Sequence, residues 1–206
     1  MSENYQNLDV THVLSPYPPA CLDDISHLRN SLVVDSVQSS VLEYGGFLEP
    51  LSASDLLSRH EANPSSCYHI LSQDSDLIAF ARTSITSGSS NVDQRALIHM
   101  ICVNRGAIGI SLSTRRFADS LMQSVIEYEE NRGTICLTAS ILLYPAFNLA
   151  SWRLLIRTGF VPESLERTSM RGRELTFLNL VRVKLHPSMC GPTSSWSAPI
   201  DEDILG

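Results

Sequence analysis

The segment from Ala96 to Ile141 constrains the fold more than any other stretch of the chain. Ala96–Val103 is an almost unbroken apolar run of strand length, so it is expected to be buried on both faces. Asn104–Ser113 follows and contains Gly106, Gly109, Ser111 and Ser113. From about Ser113 to Asn131 the apolar positions Phe117, Leu121, Val125 and Tyr128 recur at helical spacing, which predicts a long amphipathic helix. Thr134–Ile141 reads as a strand again. A strand–turn–helix–strand unit of this kind joins two parallel strands through a right-handed crossover.

The flanking segments favour antiparallel pairing. Tyr68–Ser72 and Leu77–Thr86 form a hairpin across the turn Gln73–Asp76, and Val161–Thr168 with Leu175–Leu185 supplies two final strands. A short strand is expected at Val10–Leu14. Asp23–Asp24 are expected to cap a helix through Ile25, Leu28 and Leu32 toward Val41, before Gly45–Gly46 break it. Ser52–Asp55 opens a second short helix that Asn63-Pro64 ends. Asn148–Thr158 is a further amphipathic helix, stopped by Gly159. The expected architecture is a mixed sheet with helices on both faces, α/β or α+β. Residues 1–186 form one domain, and 187–206, rich in serine with an acidic end, are expected to be a poorly ordered tail.

Composition narrows the function classes. Fifteen basic and 22 acidic residues give a net charge of −7, so a broad nucleic-acid-binding face is not expected. No apolar run approaches the length of a membrane span, and Met1–Val10 lacks a basic-then-apolar signal pattern. The expectation is a soluble, cytoplasmic protein without a membrane partner. Five widely spaced cysteines with no CxxC pair argue against a disulfide framework or a zinc site, and His12, His27, His60, His69 and His186 show no metal spacing. Cys102 and Cys136 lie in strand-like runs and read as core residues. An unrelated enzyme with one of them as nucleophile is a rival reading.

The turn Gly109-Ile110-Ser111-Leu112-Ser113-Thr114 leads from a strand into a helix N-terminus. Unpaired backbone amides and the helix dipole there favour an anion, and Arg115 and Arg116 add positive charge. An ordinary strand–helix turn with two solvated arginines is the other reading of the same residues. The turn matches neither a Walker loop nor GxGxxG.

Asn148-Leu-Ala-Ser151, Leu154 and Gly159-Phe160 resemble the Asn-x-x-Ala/Ser-x-x-Leu-x-x-x-x-Gly-Phe segment of the GCN5-related N-acetyltransferases, the GNAT superfamily. Ile101-Cys102-Val103, the turn and the helix from Ser113 are similar to that family's acetyl-CoA strand, pyrophosphate loop and helix. Gly46-Phe47-Leu48 and the segments to Thr86 are similar to its first half, so the resemblance spans roughly residues 8–185. It implies a mostly antiparallel sheet with a V-shaped gap between two central parallel strands. It also implies acetyl-CoA as cosubstrate, without a metal, and direct attack by an amine of a small molecule or peptide. Ile101, Cys102 and Val103 would line the pantetheine arm, the amides of Gly109, Ile110, Ser111, Leu112, Ser113 and Thr114 would hold the pyrophosphate, and Asn148 would face the thiol end. His99, four residues before Val103 and so expected on its side of the strand, is the candidate base, with Tyr144 as candidate acid. Glu43 and Glu49 are candidate acceptor-binding residues.

The sequence departs from the family's pattern at four positions. Ile108, Ser111 and Ser113 stand where the family's loop has an Arg/Gln, a Gly and a Gly/Ala, and Leu155 stands where the family often places a Tyr acid. The alternative function is therefore a GNAT-fold acyl-CoA-binding or regulatory protein with weak or no catalysis. Either a monomer or a homodimer is compatible with the sequence.

Overall fold

The computed structural model describes residues 8–32, 50–86, 94–104, 111–144, 147–170 and 173–184. Local chemistry sets most element ends. In α2 (Ala53–Glu61) the Ser52 hydroxyl accepts from the Asp55 amide and the Asp55 carboxylate accepts from the Ser52 amide, a reciprocal capping box. The first helix, α1 (Leu22–Asn30), begins earlier than its acidic pair suggests. Cys21 occupies the cap position without a side-chain bond, and Asp23 and Asp24 lie in the first turn, where carboxylates favour the helix dipole. Strands β2 (Cys67–Gln73) and β3 (Asp76–Thr86) meet at a two-residue turn in which Asp74 and Ser75 both have positive φ.

The long helix, α3 (Ser111–Asn131), starts two residues before its expected position. Its Leu121, Met122 and Val125 are fully buried. Burial of side chains of this size contributes roughly 1.5–3 kcal/mol each. The fourth helix, α4 (Leu149–Arg157), ends at Gly159, whose φ of 87° lets the Gly159 amide reach the Ile156 carbonyl and the Phe160 amide reach Leu155. Phe160 is thereby turned into the core at 1% exposure.

The remaining strands are β1 (Leu8–Leu14), β4 (Arg95–Val103), β5 (Cys136–Tyr144), β6 (Val161–Met170) and β7 (Arg173–Val183). The described residues form one seven-stranded sheet in the order β1-β2-β3-β4-β5-β7-β6. Every adjacent pair is antiparallel except β4 and β5, which are parallel as the crossover through α3 requires. One face packs against α3 and α4 through Ala118, Met122, Leu154 and Leu155. The other packs against α1 and α2 through Ile25, Leu28 and Leu56, over Tyr68, Phe80, Met100 and Cys102. Contrary to the expectation for an apolar run, β4 is not buried on both faces: Arg95 and His99 are exposed, and burial alternates between them. Among the described residues, no helix is long and apolar enough to cross a membrane.

A polar network is buried beneath the C-terminal half of α3. Glu129, an acceptor only when ionised, is fully buried and accepts from Thr83 Oγ1 at 2.5 Å. Thr83 must then accept from His69 Nε2 (2.9 Å). His69 Nδ1 in turn accepts from His12 Nδ1 (2.8 Å). His12 Nε2 is left to accept from Ser124. Every proton in this chain is fixed by the carboxylate at its end.

Candidate functional site

Strands β4 and β5 pair only where Arg95–Ile98 meets Cys136–Ala139. Beyond those four residues β4 stays attached to β3 and β5 to β7, but no ladder joins the two. The sheet therefore opens as a V toward the C-terminal ends of both strands. The cause is local. Arg82 pairs with Met100 while its neighbour Thr83 pairs with Ile98, so His99 is the extra residue of a β-bulge. A bulge bends its strand and sharpens its twist, and here it coincides with the point where pairing to β5 stops.

The bulge also overturns the simple alternation argument for His99. Val103 packs toward α3, but His99 does not share that face. Its Nε2 lies 2.6 Å from Ser84 Oγ, and Ser84 alternates with Thr83, whose hydroxyl points at Glu129 of α3. One extra residue reverses the parity between positions 98 and 100. His99 thus lies on the α1/α2 face, at the edge of the open seam.

His99 is exposed as a residue, yet protein atoms crowd its ring. That crowding, with the Arg82 charge, pushes its pKa down to about 4, so the imidazole is neutral near pH 7. Arg82 itself is 6% exposed; its Nε donates to Ser66 Oγ (3.0 Å) and one Nη to the Arg59 carbonyl (2.8 Å). Neither Ser84 nor Arg82 stands out in the sequence, because their relation to His99 runs across strands.

The other candidates are placed as follows. Ile101 and Val103 are partly buried toward the α3 side, on the stretch of β4 that has left β5. Cys102 points the other way, into the core beneath α1, at 1% exposure. Burial pushes the Cys102 and Cys136 thiols up, so both are protonated near neutrality and neither is a prepared nucleophile. Ser111, Leu112, Ser113 and Thr114 form the first turn of α3, and their amides have no preceding helical carbonyl to bind. Arg115 and Arg116 follow directly. They line an open cleft of about 1000 Å³ that runs along α3 to Arg157 of α4. Asp119 ties the two helices together, 2.6 Å from Arg157 and 3.8 Å from Arg115.

Asn148 caps α4: its Oδ1 accepts from the Ser151 amide at 3.0 Å, and its own amide donates to Leu142 at the end of β5. The residue the motif singles out therefore fixes the start of α4 against the far arm of the V. Tyr144 is 58% exposed, past a second bulge in β5. His99 is level with Ser140, the first unpaired position of β5, so Tyr144 lies four residues farther along, about 13 Å at strand rise. It pairs with Thr176, on the α3/α4 face, and the structure does not bring it to His99. Leu155 is 1% exposed inside the core. Glu43, Glu49, Ile108, Gly109, Ile110 and the tail lie outside the described residues.

Solved structures share this architecture. The chain aligns over 85% of its length with 98% of a protein described as a phosphinothricin N-acetyltransferase, at 17% identity and a TM-score of 0.62. It aligns over 85% of its length with 92% of the ribosomal-protein-S18-alanine N-acetyltransferase of Escherichia coli, at 15% identity and 0.57. A Salmonella typhimurium protein described as an acetyltransferase, solved with its cofactor acetyl-CoA, gives 15% identity and 0.58 over 90% of this chain and 99% of that one. No family model matches the sequence, and no curated protein does. The fold is that of the GCN5-related N-acetyltransferases, at a sequence distance where the likeness shows the fold alone.

Proposed function

We propose that this chain is an N-acetyltransferase that uses acetyl-CoA and transfers the acetyl group to a primary amine of a small molecule or peptide. The observation that carries the reading is the open β4/β5 seam, with His99 at its base and the first turn of α3 beyond its mouth. The residues present fit the cosubstrate. The unpaired edge of β4 over Ile101, Cys102 and Val103 offers backbone groups to an amide-bearing arm, as an added strand would use them. The amides of Ser111–Thr114, with Gly109 and Ile110 before them and Arg115 and Arg116 after, suit a pyrophosphate. Acetyl-CoA would supply the acetyl group as a thioester. A structural neighbour solved with that cofactor supports the choice.

In this reading the acceptor approaches from the α1/α2 face, where the bulge has placed His99. A neutral imidazole can take the proton that the amine nitrogen loses as its bond to the acetyl carbon forms. If Nε2–H donates to Ser84 Oγ, the Nδ1 lone pair is left free for that proton, so Ser84 selects the competent tautomer. Tyr144 is too far along β5 to serve the same point, and Leu155 supplies no acid, so the leaving thiolate takes its proton from water. Glu43 and Glu49 remain candidates for the acceptor wall.

The second reading, an acyl-CoA-binding protein with little catalysis, is favoured by Ile108, Ser111, Ser113 and Leu155. Isothermal titration with acetyl-CoA and CoA, followed by a CoA-release assay over an amine panel, separates the two. Absence of binding at millimolar cofactor removes both readings. Binding without release from any amine leaves the second.

A further inference from the structure

Tyr68, Arg82 and Met100 form one row across β2, β3 and β4 on the face that also carries Ser84 and His99. Arg115, Arg132, Arg157 and Arg182 each have a carboxylate within ion-pair distance. Arg82 is more buried than any of them, and among the described residues it has none. Its two hydrogen bonds go to a hydroxyl and a carbonyl, which do not cancel its charge. The bond to the Arg59 carbonyl at the end of α2 uses only one of the guanidinium's five N–H groups. Beside it the Tyr68 hydroxyl is buried with no hydrogen-bond partner among the described residues, and the charges of Arg82, Arg29 and Arg59 all act on it. The charged group acting on His99 among the described residues is Arg82 alone.

The buried Arg82 charge sits in a chain with a net charge of −7. The fold therefore holds a cation next to the base, at the cost of burying it without a counter-ion among the described residues. A purely cationic acceptor would be repelled there, whereas one with a second, anionic group would be drawn in and oriented with its amine toward His99.

Resting on the acetyltransferase reading above, we infer that Arg82 makes the acceptor side of the seam select among amines by anionic charge, favouring the one that carries the further carboxylate. Arg82 acts through its field rather than as a catalytic residue. At the separations spanned by two neighbouring strands, one unit charge at an effective protein dielectric changes affinity on the order of tenfold.

Matched acceptors test this. Glutamate and glutamine present the same α-amine and nearly the same shape, as do aspartate and asparagine, and each pair differs by one charge. With acetyl-CoA and the full chain, kcat/KM for the acidic member should exceed that for its amide by about tenfold. Arg82→Lys should retain the ratio and Arg82→Gln should bring it to one. A merely structural Arg82 would lower both members equally, leaving the ratio unchanged, and that result overturns the inference. Equal rates in the wild-type chain overturn it without any variant, which decides the matter if Arg82→Gln does not fold.

If no amine releases CoA, the acetyltransferase reading fails separately, and a measurement without turnover judges Arg82. Millimolar glutarate at pH 7 should move the His99 imidazole NMR signals in the wild-type chain, with glutaramide and Arg82→Gln giving no movement. An unmoved wild-type signal refutes the carboxylate site.

Discussion

Tyr68→Phe is expected to make this protein more stable. The Tyr68 side chain is fully buried, tilted against His60 and Phe80 with ring centroids 5.1 and 6.3 Å away. Phenylalanine keeps those ring contacts. What it removes is a hydroxyl that has left water and found no partner among the described residues. Burying such a group costs roughly 1–3 kcal/mol, and replacement by an apolar group of the same shape recovers it. For a domain of this size, 1 kcal/mol moves the melting midpoint by about 2–4 °C, so a rise of roughly 2–12 °C is expected. Urea titration of both proteins should show a higher midpoint at an unchanged slope. A midpoint that stays or falls would refute the reasoning, because the hydroxyl would then have a partner such as an ordered water. The substitution also separates stability from function: if the hydroxyl helps Arg82 receive an anion, the more stable variant will discriminate less between glutamate and glutamine.

His99→Ala should lower kcat/KM by about 100-fold near pH 7.5 while leaving the dissociation constant of acetyl-CoA within about twofold, measured by CoA release and calorimetry. Ser111→Asp should weaken acetyl-CoA binding by on the order of tenfold without lowering the melting midpoint, since a carboxylate in the first turn opposes a pyrophosphate but suits the helix dipole. The buried network predicts a pH dependence. Burial, with neighbouring charges, holds His69 below its ordinary value and His12 at about 4, so the folded state binds fewer protons than the unfolded one between about pH 6.5 and 4. Stability should be level above about pH 7 and fall steadily below 6.5 in urea titrations, and His12→Gln should shallow that fall. Burial alone would raise Glu129, but the nearby His69 ring, the hydrogen bond from Thr83 and the Arg132 charge hold its carboxyl below the usual value, so a further loss should appear below about pH 4.5.

The order of elements was legible because it is written in local signals. Helical spacing from Phe117 to Tyr128 announces α3, Ser52 and Asp55 announce α2, and Gly159 announces the end of α4. Boundaries shifted where a neighbour decided them: β5 starts at Cys136 rather than Thr134, because the Thr134 hydroxyl turns toward Glu129, and it runs on to Tyr144 in partnership with β7. The candidate site was legible only as far as it is sequential. The Asn148-to-Phe160 motif marks α4, but nothing in Ala96–Val103 signals that one residue there is extra. A bulge is a property of the ladder, and its evidence lies in Arg82 and Thr83 on another strand. Ser84 and Arg82 were missed for the same reason.

That single extra residue connects the fold to its chemistry. Without it His99 would share the face of Val103, under α3, where the first turn of the helix and the cleft beside it suit an anionic cosubstrate. With it, the imidazole faces the opposite side, against Ser84 and within the field of Arg82. The same insertion falls where β4 parts from β5, so the passage through the sheet and the base beside it have one structural cause. A reaction between a cosubstrate and an acceptor needs the two to arrive from different sides and meet at a point closed to neither. On the function proposed above, the seam would be that point, the α3 face would serve one partner, and the charge left on the other face would select the second.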